Sequence, residues 1–189
     1  LDCRILTVPP WQGTEFKAKA YFSKTDAGFS TYSANVDGGS ITGSYSKNRL
    51  DNTVQASAQW NAIPVTYLVK HLKLPEVVKG TTTGEVNYSL DMDDPNTLQG
   101  KSDFEISPGQ FSVEFLADEF GLKGNGDFTA GLPPTLDFER LTAQTKFERD
   151  LVETPIIKLV SPGIDIQATG RFIMRGDMEY EITVSLTPE

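Results

Sequence analysis

Cysteine and histidine are almost missing from this chain, whose 189 residues hold one of each, Cys3 and His71. A lone cysteine excludes an internal disulfide, and one Cys with one His excludes the common Cys/His sets that bind zinc. Basic residues are also short, with 17 Lys and Arg against 26 Asp and Glu for a net charge of −9. A surface of that sign repels a phosphate backbone instead of displacing its counterions, so nucleic acid is not an expected partner. No apolar run approaches the roughly 20 residues of a membrane-spanning helix. The chain opens at Leu1 without a charged and then apolar leader, from which a processed piece of a longer, membrane-anchored protein is expected. Low-complexity tracts and Ser/Gly-rich linkers are missing too, so residues 1–189 are expected to form a single domain. With 38% hydrophobic and 23% charged residues, that domain has the means to bury a core.

What is present is period two. From Met178 to Thr187 every even position is apolar and every odd one polar, the pattern of a half-buried strand. The same alternation runs through Glu15 to Phe22, Val54 to Trp60, Gly84 to Leu90 and Ile164 to Ala168. Strand side chains point alternately to opposite sides, so these segments predict sheet with one apolar and one wetted face. Asp37-Gly38-Gly39, Ser107-Pro108-Gly109, Gly124-Asn125-Gly126 and Ser161-Pro162-Gly163 supply turn chemistry between them. Spacing this short leaves no room for crossover helices and predicts antiparallel hairpins. The fold class expected is all-β and mainly antiparallel, an extended curved meander or a sandwich-like sheet.

One stretch departs from period two. From Pro64 to Leu74, Val65, Leu68, Val69 and Leu72 fall at i, i+3, i+4 and i+7, which predicts a short amphipathic helix packed on the apolar face. Pro64 suits its first turn, Lys70 and Lys73 its C-terminal end, and Pro75 stops it. A second short helix is expected around Phe115 to Phe120, ended by Gly121.

Chemistry-bearing residues are scattered. His71 has no neighbouring nucleophile and reads as a residue favoured near a helix C-terminus. Cys3 lies between Asp2 and Arg4 without a histidine nearby in sequence, so it reads as a small hydrophobe. Asp91-Met92-Asp93-Asp94-Pro95-Asn96 is the best cation candidate, yet Pro95, Asn96 and Ser102 stand where the EF-hand template needs an oxygen ligand, a Gly and a Glu. A solvated hairpin loop is the expected reading. Gly121 to Gly126 resembles a phosphate loop only superficially, because a strand and not a helix is expected to follow. Trp11, Trp60, Phe104 and Phe111 at period-two positions read as sheet core before they read as a ligand platform. No catalytic residue, metal or cofactor is expected.

A larger pattern joins the helix from Pro64, the strand Gly84 to Leu90 and the closing stretches Leu136 to Ala143, Pro155 to Ser161, Ile164 to Gly170 and Met178 to Leu186. From about Val54 onward this resembles the C-terminal region of AsmA-like proteins, with Phe138, Leu141, Gly170 and Ile182 at the steps of that pattern. The related type II secretion system protein N family ends similarly. The resemblance implies a non-enzymatic protein of the bacterial envelope, anchored in the inner membrane and projecting into the periplasm. It further implies an association with lipid transport or outer-membrane assembly, through a curved sheet with an apolar inner face. The partners so implied are a phospholipid or other acyl chain, or neighbouring envelope proteins. The residues expected to face lipid are Val54, Ala56, Ala58, Trp60, Val86, Tyr88, Ile182, Val184 and Leu186, with Ala56 and Ala58 expected to receive the helix. The alternatives are a scaffold that offers the same sheet to envelope proteins, or a carbohydrate-binding module using exposed aromatics.

Overall fold

In a computed structural model, residues 2–8, 11–72, 76–114, 133–173 and 176–186 are described. Twelve strands follow one another: β1 (Asp2–Val8), β2 (Trp11–Phe22), β3 (Asp26–Val36), β4 (Gly39–Asn48), β5 (Thr53–Pro64), β6 (Val78–Asp91), β7 (Asp94–Ser112), β8 (Thr135–Phe138), β9 (Arg140–Glu148), β10 (Leu151–Ser161), β11 (Ile164–Ile173) and β12 (Met178–Leu186). Helix α1 (Val65–Leu72) lies between β5 and β6. The strands form one open sheet in sequence order, with β8 and β9 both paired to β7, and the recorded pairings are antiparallel. The all-β meander is therefore what the chain forms. A second packed sheet is not seen among the described residues, so the sandwich-like form drops out.

Local chemistry explains the connections. Asp37 and Gly38 both take positive φ, 46° and 85°, and join Val36 to Gly39 in the mirror-image turn that matches strand twist. Pro162-Gly163 joins Ser161 to Ile164 with Gly163 at φ 76°, where a proline followed by a left-handed glycine is the favoured pair. Ser107-Pro108-Gly109 is a correction: the expected hairpin is instead an irregularity inside β7, beside the shift of register between Gly80 and Thr82. Proline lacks the N–H a ladder needs, and a bulge absorbs it as well as a turn does. The stretches around Phe115 to Phe120 and Gly121 to Gly126 lie outside the described residues.

A buried cluster forms beside the helix, and apart from it Phe16, Val36 and Val54 are buried too. Val65 of α1 joins Ile106, Val113, Leu136, Phe138, Leu141 and Leu159 in a buried cluster, against which Val69, Val78, Phe104, Phe111, Ile164 and Ile166 pack. Leu68 is half-buried, and the side chain of Leu72 lies outside the described residues. The helix is described as far as Leu72, and Lys73, Leu74 and Pro75, where the sequence predicts its end, lie outside the described residues.

Candidate functional site

Cross-strand register assembles the apolar face row by row. One row reads Ala20, Phe29, Tyr45, Ala56, Tyr88, Gly100, Phe147, Val152, Phe172 and Met178, each residue opposite the next. A second runs Ala34, Ile41, Trp60, Gly84, Phe104, Ala143, Ile157, Ala168 and Ile182. Nearer the helix, a third runs Ile63, Thr82, Ile106, Leu141, Leu159, Ile166 and Val184. Residues directly opposite in an antiparallel pair point to the same side. These rows therefore make one largely apolar surface from β2 to β12.

All nine residues predicted to face lipid lie on that surface, but not together. Val54, Ala56, Ala58 and Trp60 on β5 stand beside Val86 and Tyr88 on β6, while Ile182, Val184 and Leu186 lie at the far edge, with β7, β9, β10 and β11 between. Their environments differ as well. Val54 is only 3% exposed and belongs to the packed interior, Ala56, Ala58, Trp60, Val86, Tyr88 and Val184 are half-buried, and Ile182 and Leu186 are exposed. Sequence reasoning did not include Tyr32, Phe29, Tyr45, Phe147 and Phe172, which stand on the same face.

Aromatic rings on this face lie down across glycines of the neighbouring strand. A Cβ at Gly84 would meet Trp60 Cζ2 at 2.6 Å, and one at Gly43 would meet the Tyr32 hydroxyl at 2.6 Å. Phe147 lies similarly against Gly100, Tyr180 against Gly170 and Phe138 against Gly109. Polar ends are tied down at the same time. Trp60 Nε1 donates to Thr82 Oγ1 at 3.2 Å, the Tyr32 hydroxyl donates to the Ser57 carbonyl at 3.3 Å, and the hydroxyls of Thr154 and Tyr180 share a hydrogen bond of 3.0 Å. Burial, with a smaller contribution from the neighbouring Tyr88 phenol, raises the Tyr32 pKa above its ordinary 10.0. The expectation that Ala56 and Ala58 receive the helix is corrected here. The cluster that α1 joins contains neither alanine, and it is the Tyr32 ring, lying over Gly43, that reaches toward β5 beside Ala58.

The opposite face is polar and carries a shallow recess of about 880 Å³. Ser44, Ser57, Asn87, Lys101, Lys146 and Glu153 are among its lining, the residues that alternate with the apolar rows. Tyr88 and Phe147 border it, but their rings stand on the apolar side, so this recess has no stacking platform for a sugar. The acidic hairpin uses its oxygens locally. Asp91 Oδ1 accepts from the Asp93 N–H, Asp94 Oδ1 from the Asn96 N–H, and Asp93 Oδ2 from the Asn52 amide. The side chains of Cys3, Trp11 and His71 lie outside the described residues.

Comparison of the chain with protein-family models, with curated proteins and with solved structures yields no match.

Proposed function

We propose that the domain is a non-enzymatic carrier surface for an acyl chain, which lies along the apolar face between the helix-covered end and the opposite hairpin ends. One observation carries this reading: the apolar rows continue well beyond the cluster that α1 covers, and the row through Ala56, Tyr88 and Phe147 stays half-buried with no part in that cluster. Rings laid flat over glycines keep this surface low, so that an extended chain can rest on it without displacing side chains.

The magnitudes set a requirement on chain length. Each buried methylene contributes about 0.8 kcal/mol, so ten contribute about 8 kcal/mol, against association costs of about 4 to 15 kcal/mol. A chain longer than ten methylenes is therefore favoured over a short one. Negative charge argues against anionic headgroups as the anchor, so contact is hydrophobic and depends weakly on salt. The resemblance to AsmA-like proteins supports this reading and implies a protein of the inner membrane that faces the periplasm, in lipid transport or outer-membrane assembly.

Native mass spectrometry of the domain purified from bacterial membranes, followed by lipid extraction, tests the proposal. A copurifying lipid, and labelling of β5, β6 and β9 by a photoreactive acyl probe, are the expected results. Absence of both leaves the sheet as a scaffold for envelope proteins. Turnover of glycan or ester substrates that disappears in an acid-to-amide variant would overturn the non-enzymatic reading.

A further inference from the structure

Charge enters the apolar face at one corner. The three rows that build the face contain no charged residue, but the next row, one step further from the helix, reads Phe22, Ala27, Lys47, Val54 and Leu90, each opposite the next. Opposite residues point to the same side, so Lys47 stands among the apolar side chains. It is half-buried, with Ala27 and Val54 beside it and Tyr45 in the row behind. Arg49 is held at the same corner by three contacts. Its backbone N–H donates to the Thr25 carbonyl at 2.7 Å, its Nη1 donates to the Ser23 carbonyl at 3.2 Å, and its guanidinium lies 4.5 Å from the centroid of the Phe22 ring. Because Phe22 begins the row that contains Lys47, both cations belong to one margin of the apolar surface.

Neither cation has a carboxylate partner among the described residues. The acids of these two hairpins serve their own turns: Asp26 accepts from the Thr25 hydroxyl, and Asp51 accepts from the Thr53 N–H and from the Asn48 amide. A lysine stem can lie along apolar surface with its ammonium at the water's edge, and such an ammonium is left to seek an anion. In a chain of net charge −9, two cations without acids, placed where an apolar track ends, match an amphiphile that is apolar along its length and negative at its tip.

We propose that this corner receives the carboxylate head of a long-chain acid, held by Lys47 and Arg49, while the tail runs from Tyr45 across Ala56, Tyr88 and Gly100 to Phe147. The proposal rests on the carrier reading and adds to it the head that is recognised and the direction of the chain. From β4 to β9 that row crosses four strand spacings, about 19 Å, so head and tail are accommodated on one continuous track. Affinity still comes from the tail, since charge pairs at the water's edge contribute little each, and the two cations select between heads.

cis-Parinaric acid and its methyl ester carry the same fluorescent chain and differ in the charge of the head. Both are titrated into the intact chain, and the ratio of their affinities is the readout because the contribution of the tail cancels. Lys47→Met keeps the length of the stem, and is expected to lower the acid-to-ester ratio about fivefold without changing the affinity for the ester. Adding Arg49→Gln lowers the ratio further. Lys101→Met removes the same charge from the polar face at an exposed position, and is expected to leave the ratio unchanged. A ratio that survives the Lys47→Met/Arg49→Gln double variant, or that falls equally in Lys101→Met, overturns the head site and leaves the carrier reading standing. Binding of neither ligand to the wild-type chain overturns both.

Discussion

Replacing Gly84 by alanine tests whether the aromatic rings lie flat on the sheet. Gly84 stands between Trp60 on β5 and Phe104 on β7. A Cβ there would sit 2.5 Å from the Asp103 carbonyl oxygen, 2.6 Å from Trp60 Cζ2 and 2.7 Å from Phe104 Cβ. Two of these atoms are backbone or the first side-chain carbon and cannot swing away, so either the strands separate or the indole lifts. If the indole lifts, its hydrogen bond to Thr82 is lost, and Thr82 is only 2% exposed, with little water to replace the donor. Overpacking costs about 1 to 3 kcal/mol and the hydrogen bond about 0.5 to 1.5 kcal/mol. Against them, alanine restricts the unfolded chain, which returns about 0.4 to 1 kcal/mol. The expected net loss is about 1 to 3 kcal/mol, which at a urea slope of about 2 kcal/mol per molar lowers the midpoint by about 0.5 to 1.5 M. The measurement is made in a Trp11→Phe background, so that Trp60 alone reports, and its emission should shift to the red. Gly38→Ala is the control: its Cβ meets nothing within 4 Å, but φ of +85° imposes left-handed strain of about 1 to 2 kcal/mol. That variant should lower the midpoint with no change in native Trp60 emission. If Gly84→Ala changes neither midpoint nor emission, the ring does not occupy the space over Gly84 and the reasoning fails.

The buried cluster beside the helix predicts that Ile106→Ala costs about 2 to 5 kcal/mol while Leu186→Ser stays within about 0.5 kcal/mol, and similar costs in chemical denaturation would refute it. Ala62 at φ 56° carries left-handed strain of about 1 to 2 kcal/mol that glycine relieves, less about 0.4 to 1 kcal/mol for the freer unfolded chain. Ala62→Gly should therefore raise the Tm by up to about 4 °C, and a lower Tm contradicts the strain. Because burial raises the Tyr32 pKa above 10.0, the folded state holds that proton more tightly than the unfolded one. The stability this confers is whole below pH 10 and is lost as pH rises through the folded value, so Tyr32→Phe should flatten the alkaline loss of stability; unchanged pH profiles would show that Tyr32 is not the group responsible.

The strands legible in the sequence were those whose alternation is unbroken. Thr53 to Trp60 and β12 keep strict period two, and their registers show no shift over those stretches. Elsewhere bulges reset the phase. Between Phe29 and Tyr32 the register slips, so Ala27, Phe29, Tyr32 and Ala34 share a face that simple alternation cannot predict. Likewise a slip between Thr154 and Ile157 in β10 hides the continuity from Val152 through Thr154 to Leu159. The phase of each strand relative to its neighbours is a property of pairing, and a single sequence fixes it only where a two-residue turn is recognisable, as at Asp37-Gly38. The separation of Trp60 from Ile182 by five intervening strands was invisible for the same reason. Period gives the face, and only register gives the position along it.

The width of the sheet sets how much apolar surface remains to be covered. Eleven strands in sequence across the sheet, at about 4.8 Å spacing, extend about 50 Å, whereas α1 has eight residues and is about 12 Å long and 10 Å wide. Such a helix covers two or three strands, which agrees with the buried cluster gathering around Ile106, Phe138 and Leu159. The row from Ala20 to Met178 continues past it with aromatic residues at Phe29, Tyr45, Tyr88, Phe147 and Phe172. Selection for stability alone would favour a polar outer row there, since lone exposed apolar residues contribute nothing to a core and a contiguous patch promotes aggregation. An acyl chain lying along that row, as proposed above, would take over the covering that the short helix cannot extend so far, and the length of the row, not its depth, would then set which chains are held.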